Sequence, residues 1–255
     1  MWINNPAFKL YHLYWTAIDW IYPPDCGGCK KFGERWCIDC QNSVTPVGPR
    51  FCLKCGNFND AGGLCPSCSA SPPPYQALRS WGIFNGPLRE AIHRLKYQHD
   101  IGLGEALAKH LIDYFAKTGW DIDMVAPIPL SSARQNARGY NQSALLAHPL
   151  ALACNISFKS KALERIRDTR PQVGLKAKER AENVKDAFTA NKNMVNGQKI
   201  LLIDDVTTTG ATISAAAEAI MNAGACCVYG LTLARSSYGM ETVNSLMYEV
   251  QKKNI

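Results

Sequence analysis

The clearest pattern of apolar and polar positions lies between residues 199 and 234. Residues 200–203 form a continuous apolar run, which is typical of a parallel strand buried on both faces. After two aspartates and a threonine-rich stretch, one apolar stripe follows helical spacing at Ile213, Ala216, Ala217, Ile220 and Met221. Gly224 marks the expected end of this helix, and residues 225–234 predict the next buried strand. Strand, loop, helix and strand in this order predict an α/β fold with a parallel sheet.

A second buried strand is predicted at residues 123–130. Its apolar run ends at two prolines, and Pro129 could not continue in a central strand because it has no N–H to donate. The following segment predicts a helix that runs on through Leu152. Because Pro149 falls inside it, we expect this helix to kink or to restart.

Residues 1–25 are rich in aromatic side chains and predict an amphipathic helix. The residues that we expect to pack on the rest of the protein are Phe8, Tyr11, Trp15, Ile18 and Tyr22. Binding to a membrane surface is the alternative. Lys9, His12 and Asp19 interrupt the apolar stretch, so we do not expect it to span a bilayer. A signal-peptide pattern is not found either, which predicts a cytoplasmic protein.

Length and charge add to this picture. The chain has 255 residues, of which 47% are hydrophobic and 19% are charged, enough for a buried core and for more than one domain. Its formal net charge is +7, and the excess is concentrated in residues 159–180, where eight lysines and arginines accompany three acidic residues. Such a segment could meet a diphosphate, a nucleic-acid backbone or only water.

Eight of the eleven cysteines form four CxxC pairs, Cys26/Cys29, Cys37/Cys40, Cys52/Cys55 and Cys65/Cys68. Each CxxC turn can aim two thiolates at one metal, and two turns complete the tetrahedral shell of a structural zinc. Eight ligands therefore predict two zinc ions. Disulfides are the competing explanation, but a chain without a secretory signal is expected in a reducing compartment.

The cysteine spacing does not decide which turns share a metal. Pairing in sequence order and an interleaved pairing both stay open. Four thiolates leave no open position for catalysis, so the metals are predicted to hold the segment together. Cys154, Cys226 and Cys227 lack ligand spacing and are predicted to be core residues. Residues 69–75, with three prolines, predict a linker after the cysteine-rich segment.

The loop after residue 203 has the chemistry of a phosphate site. A loop that enters a helix presents unpaired N–H groups at the positive end of the helix dipole, where a phosphate is stable. Threonine hydroxyls add donors, and Gly210 lets the backbone approach closely. Asp204 and Asp205 would repel the phosphate, so we expect them to accept hydrogen bonds from vicinal hydroxyls or to help hold a divalent cation. Together these groups describe a phosphorylated sugar.

These residues resemble the motif with which type I phosphoribosyltransferases bind 5-phosphoribosyl-1-diphosphate (PRPP). The resemblance implies that Asp204 and Asp205 bind the ribose hydroxyls, and that magnesium accompanies PRPP. It also implies that the 5′-phosphate is bound by Thr207, Thr208, Thr209, Gly210, Ala211 and Thr212.

Basic residues supply candidates for the diphosphate. In type I phosphoribosyltransferases a pyrophosphate loop follows the first core strand, and here Arg134 and Arg138 follow it. The alternative is that Arg138 and Asn141 only cap the next helix. A mobile catalytic loop is implied further on, with candidate diphosphate or DNA contacts at Arg170, Lys176, Lys178 and Arg180. No residue that would activate an acceptor can be identified.

Taken together, four CxxC pairs, the Arg138–Gln142 segment RGYNQ, the stretch RDTRPQ at residues 167–172 and the PRPP motif resemble the ComF family of competence proteins. The resemblance implies a type I phosphoribosyltransferase fold with an N-terminal zinc-ribbon domain. It divides the chain into an N-terminal helix (1–25), a double zinc ribbon (26–70) and a phosphoribosyltransferase-like domain (76–240).

The same resemblance implies uptake and handling of single-stranded DNA in natural transformation, alongside a competence helicase. Trp81, Phe84 and Tyr97 could stack on bases, although such aromatics are more often core residues. The alternative function is a working transferase that moves phosphoribose from PRPP to an unidentified amine or base.

Overall fold

A parallel sheet forms the centre of the molecule, of which the computed structural model describes residues 5–167, 184 and 186–236. Its strands are β1 (Ala77–Ile83), β2 (Met124–Pro127), β3 (Ser157–Phe158), β6 (Lys199–Thr207) and β7 (Cys227–Arg235). Among the described residues these five strands are all parallel and lie in the order β1-β7-β6-β2-β3. A separate antiparallel pair joins β4 (Leu163–Arg165) to β5 (Phe188–Ala190).

The described helices lie on both faces of this sheet and, in the case of α2 and α3, in the cysteine-rich segment. They are α1 (Pro6–Ile21), α2 (Ile38–Asn42), α3 (Pro66–Ala70), α4 (Gly86–Tyr97), α5 (Leu103–Ala116), α6 (Ser132–Arg138), α7 (Gln142–Cys154), α8 (Lys192–Val195) and α9 (Ala211–Asn222). Successive residues of β6 point to opposite faces. Leu201 and Ile203 join the core that contains α4, α5 and α7, whereas Ile200 and Leu202 join the core that contains α9. The predicted α/β architecture is confirmed.

The connections of β2 and β6 leave the sheet in opposite directions. The chain passes from β2 through α7 to β3 on one side, and from β6 through α9 to β7 on the other. Such a reversal of strand order opens a crevice at the carboxyl ends of the two strands, where α/β proteins bind ligands. Pairing between β2 and β6 ends at Pro127 and Ile203. The residues of β6 after Ile203 therefore border this crevice.

Strand β6 is longer than the sequence pattern predicts. We expected the strand to end at residue 203, but it continues through both aspartates to Thr207. The reason is its other neighbour, β7, because Asp204 pairs with Thr232 and Val206 with Ala234. Both acidic residues are therefore held by sheet hydrogen bonding on one side and face the crevice on the other.

We expected a kink or a restart at Pro149; helix α7 continues across this residue, so it does not restart there. The proline removes one backbone hydrogen bond. Leu146, Ala147, Leu150 and Ala151 on either side of it are buried in the core, and this packing offsets the lost bond.

The predicted amphipathic helix at the N-terminus is present as α1. Phe8 and Trp15 are buried and Tyr11 and Ile18 are half-buried, as predicted. Tyr22 was expected to pack as well, but it lies beyond the helix end at Ile21 and is 74% exposed. Within the described residues, no helix combines the length and apolar character needed to cross a bilayer.

The cysteine-rich segment lies along the edge strand β1. The N–H of Leu78 donates to the carbonyl of Lys54 at 2.8 Å, and the N–H of Ile83 donates to that of Thr45 at 2.8 Å. These bonds occupy an edge that would otherwise expose unpaired backbone groups. Tyr75, at the end of the predicted linker, is 1% exposed, so the segment is tied closely to the sheet.

Candidate functional site

The eight paired cysteines form two clusters in the described part of the chain. Cys26, Cys29, Cys37 and Cys40 make the first, and Cys52, Cys55, Cys65 and Cys68 make the second, with all sulfurs of a cluster within 4.8 Å of one another. The turns therefore pair in sequence order, and the interleaved pairing is wrong.

The sulfur positions match the geometry of zinc. Four sulfurs placed tetrahedrally about 2.3 Å from a zinc ion lie about 3.8 Å apart. The Sγ atoms of Cys26 and Cys40 are 3.6 Å apart, those of Cys29 and Cys37 3.6 Å, and those of Cys55 and Cys65 3.8 Å. Backbone N–H groups also point at sulfur, as at Cys37, whose N–H donates to Cys26 Sγ at 3.4 Å. The residues present thus fit two structural zinc ions.

The three unpaired cysteines differ from one another. Cys154 is buried in the core, as predicted. Cys227 is half-buried and Cys226 is exposed, so the prediction is wrong for Cys226. That residue immediately precedes β7, where the sheet meets solvent.

Asp204 and Asp205 lie side by side at the crevice and are almost fully buried. The first turn of α7 supplies hydrogen bonds to both. Ser143 Oγ donates to Asp204 Oδ1 at 2.8 Å, and Gln142 Nε2 donates to Asp205 Oδ1 at 3.0 Å. These contacts fix the orientation of the two carboxylates before any ligand arrives.

Lys96 completes this arrangement, although the sequence analysis did not identify it. It lies in the last turn of α4, and its Nζ forms an ion pair with Asp205 Oδ2. The side chain is 21% exposed, so the pair is largely shielded from water. No local pattern marks this lysine, because its partner Asp205 lies far away in the sequence.

The surroundings shift the pKa values of the two carboxyls in opposite directions. Burial raises the pKa of Asp204 to about 7, and the charge of Asp205 adds to this shift. Burial acts in the same direction on Asp205, but the charge and hydrogen bond of Lys96 outweigh it and lower the pKa of Asp205. Asp205 is therefore the more acidic of the two carboxyls, and Asp204 titrates close to neutral pH.

The predicted phosphate loop connects β6 to α9. Thr207 ends β6, Thr208 and Thr209 follow, and Gly210 precedes the helix, which begins at Ala211. Gly210 has φ 82°, and a Cβ there would lie 3.2 Å from Tyr75 Oη and 3.3 Å from Leu78 Cδ2. Glycine is therefore favoured both by the left-handed backbone and by the close packing beneath it.

A cavity of about 480 Å³ lies at the acid pair and reaches Thr212 in the first turn of α9, whereas residues 207–211 of the predicted motif are not part of its lining. Its lining includes Asp204, Asp205 and Thr212 of the predicted PRPP motif, together with the predicted diphosphate candidates Arg134 and Arg138. Lys96, Tyr97, His99, Gln142 and Arg165 also line it. The other diphosphate or DNA candidates, Arg170, Lys176, Lys178 and Arg180, lie outside the described residues.

The charges along this cleft favour an anionic ligand. Of the described side chains that line it, Lys96, Arg134, Arg138 and Arg165 are cationic, against the acid pair Asp204 and Asp205. The excess of positive charge, confined in a concave site, attracts an anion.

Arg138 and Asn141 were each considered as a cap of the next helix, and the structure separates the two residues. Asn141 is the N-cap of α7, since its Oδ1 accepts from the N–H of Ser143 at 2.9 Å. Arg138 lies in α6, donates to Gln142 Oε1 and faces the cleft, so it is not a cap of α7.

The three aromatic residues considered for base stacking differ in their exposure. Trp81 and Phe84 are half-buried and pack against the core, as the core alternative predicts. Tyr97 is 62% exposed at the cleft, and the Arg138 guanidinium lies 5.3 Å from the centre of its ring.

Comparison with known proteins finds two domain families and several relatives that match this chain. A double zinc ribbon domain family matches residues 17–69, and a phosphoribosyl transferase domain family matches residues 104–255. The DNA utilization protein YhgH of Salmonella typhimurium is 34% identical over 177 residues, which cover 68% of this chain and 78% of the relative. Competence protein ComFC of Bacillus subtilis is 29% identical over 223 residues, covering 81% of this chain and 86% of the relative.

Among solved structures, an adenine phosphoribosyltransferase is 22% identical, with 63% of this chain and 82% of that chain covered and a TM-score of 0.34. The two domain matches and the two relatives confirm the family that the sequence motifs predicted. The chain belongs to the ComF family of competence and DNA utilization proteins, in which a double zinc ribbon precedes a phosphoribosyltransferase domain.

Proposed function

We propose that the cleft binds PRPP with magnesium, and that the protein acts in the cytoplasm as a single-stranded DNA-handling factor in natural transformation. The observation that carries the proposal is the acid pair Asp204–Asp205, buried at the crevice and pre-oriented by Ser143, Gln142 and Lys96. The carboxylates suit the vicinal hydroxyls of a sugar, and the start of α9 beside them suits a phosphate. A phosphorylated pentose would contact both the acid pair and the start of α9.

Each part of PRPP has a candidate partner in this arrangement. The ribose hydroxyls would donate to the carboxylates, whose remaining lone pairs face the cleft. The 5′-phosphate would accept from the N–H groups that open α9, with Thr212 beside them. The diphosphate would meet Arg134 and Arg138, because guanidinium groups match phosphate geometry.

The cleft has an excess of cationic side chains, which would repel free magnesium. Magnesium would therefore enter as a complex with the diphosphate. When bound, magnesium would neutralise diphosphate charge and order its oxygens. The protein side chains would then hold the sugar and the outer oxygens.

Calorimetry with PRPP and magnesium on the full chain tests this assignment. Asp204→Asn with Asp205→Asn keeps the shape of both side chains but removes their charge, so we expect PRPP affinity to fall more than about 100-fold. Asp121→Asn, at an exposed acid outside the cleft, should leave affinity unchanged. Binding retained by the double variant would refute the assignment.

A DNA role is supported by the names and by the charge. The two relatives described above are a DNA utilization protein and a competence protein. The chain carries a net charge of +7, and a phosphate backbone is a natural partner for such an excess. Tyr97, exposed beside the Arg138 guanidinium, offers a stacking surface for a base. The resemblance to ComF proteins supports a competence helicase as a protein partner.

Salt-dependent binding of single-stranded DNA, followed by fluorescence anisotropy, tests the DNA role. We expect affinity to fall steeply as salt rises, and Lys176→Glu with Lys178→Glu to weaken binding and reduce the salt slope by about 2. Lys109→Glu with Lys117→Glu, in the middle and at the C-cap of α5, makes an equal charge change elsewhere and should have a smaller effect. Binding that changes neither with salt nor with the charge reversal at Lys176 and Lys178 would exclude the DNA role.

A transferase activity is the second candidate, because the acid pair that positions a ribose is intact. In this case nitrogen of an amine or base would attack C1′ and diphosphate would leave. Diphosphate release from PRPP, measured with a panel of amines and bases, decides between binding alone and turnover. Release that depends on one acceptor would establish the activity.

A further inference from the structure

Helix α4 lies between the first zinc cluster and the proposed PRPP cleft. Lys96, in its last turn, forms the ion pair with Asp205. Arg94 lies two residues earlier, and two residues of an α-helix turn its side-chain direction by about 200°. The two cations therefore point to opposite sides of the helix, one to the cleft and the other to the cysteine-rich segment.

Arg94 binds the metal-binding turn directly. Its Nη1 donates to the backbone carbonyl of Cys26, a member of the first cluster, at 3.0 Å. Its Nη2 forms an ion pair with Asp100 at 2.7 Å, in the connection from α4 to α5. The other oxygen of Asp100 lies 3.3 Å from Nη1 of Arg35, a residue of the cysteine-rich segment. All three side chains are less than one-fifth exposed, so these charged contacts are poorly screened.

Close packing supports the same attachment. A Cβ at Gly27 would lie 2.5 Å from Leu103 Cδ2, and one at Gly28 would lie 2.6 Å from Pro87 Cβ. Pro87 is in the first turn of α4, and Leu103 begins α5. The turn that carries Cys26 and Cys29 is thus pressed against the starts of both helices.

We propose that Arg94 is a positioning residue, which ties the last turn of α4 to the first zinc cluster and so keeps Lys96 on Asp205. This proposal rests on the function proposed above, because Lys96 is placed in the PRPP cleft. It makes the first zinc cluster a structural part of that cleft. Loss of the attachment would let the end of α4 move and leave Asp205 without its counter-ion.

The second zinc cluster offers a matched control. Arg79 Nη2 donates to the carbonyl of Leu53, next to Cys52, at 2.8 Å. This contact has the same chemistry as that of Arg94, an arginine bound to the backbone of a zinc-binding turn. Arg79 lies in β1, however, and is not on the helix that carries Lys96.

The experiment compares Arg94→Gln with Arg79→Gln in the full, zinc-loaded chain. Hydrogen exchange of the amides of residues 94–97 reports the order of the last turn of α4, and calorimetry reports the affinity for PRPP with magnesium. We expect Arg94→Gln to speed exchange there and to weaken PRPP about tenfold, and Arg79→Gln to change either quantity less than about twofold. Zinc content at two ions per chain in both variants would show that the clusters are intact.

Equal behaviour of the two variants in both measurements would overturn the proposal. If the wild-type chain does not bind PRPP, the proposed function fails, while hydrogen exchange still decides whether Arg94 orders α4. Should Arg94→Gln not fold, Asp100→Asn weakens the same attachment without changing side-chain volume and gives the same comparison.

Discussion

Replacing Lys96 by methionine tests the electrostatics of the acid pair most directly. The change keeps most of the side-chain volume but leaves Asp204 and Asp205 buried beside each other without a cation. Removing one partner of a fully buried ion pair costs about 3–5 kcal/mol. Lys96 is 21% exposed and Gln142 still donates to Asp205, so we expect the lower end, about 3 kcal/mol.

Urea unfolding at pH 7 measures this loss. Lys199→Met breaks the exposed ion pair with Asp121, which solvent screens, so it should cost much less stability than Lys96→Met and serves as the matched control. Adding Asp205→Asn to Lys96→Met removes the unpaired charge and should restore much of the stability. The reasoning is refuted if Lys96→Met costs no more than Lys199→Met, or if the double variant recovers nothing.

Four further predictions concern the acid pair, the loop before α9 and the first zinc cluster. PRPP affinity should rise between pH 6 and pH 8 in isothermal titrations, because the pKa of Asp204 is raised to about 7 and the ionised carboxylate accepts the ribose hydroxyl; a flat profile would contradict this. The contribution of Asp204 to folding stability changes with pH in the opposite direction to PRPP affinity. A carboxyl whose folded pKa is raised stabilises most below its unfolded pKa of about 3.9 and loses this contribution as pH rises through 7, so Asp204→Asn should become relatively more stable at higher pH in urea unfolding. Gly210→Ala should cost about 1–3 kcal/mol in urea unfolding, because φ is 82° and Tyr75 lies beneath, and wild-type stability would show that the loop adapts freely. Cys26→Ser should lower zinc from two ions per chain to about one by mass spectrometry of metals, and retention of two would reassign the ligands.

Features carried by neighbouring residues could be predicted from the chain alone. The parallel strand at residues 200–203, the helix after it, the CxxC turns and the glycine before α9 each depend on local spacing, and all are found. Local spacing also had limits. It could not show that β6 continues through Asp204 and Asp205, because that extension depends on pairing with β7.

The contacts that make the cleft join residues far apart in sequence. Lys96 and Asp205 are separated by 109 positions and Ser143 and Asp204 by 61, and no periodic pattern links such pairs. Folding brings them together because the carboxyl ends of β2 and β6 meet where the strand order reverses, and α4 and α7 end or begin there. Both zinc pairings satisfy the cysteine spacing, and only the positions of the sulfurs in the structure show that the turns pair in sequence order. Short-range periodicity and ligand spacing therefore specify the elements and their chemistry, whereas the counter-ion and the orientation of the acids arise from contacts between distant segments.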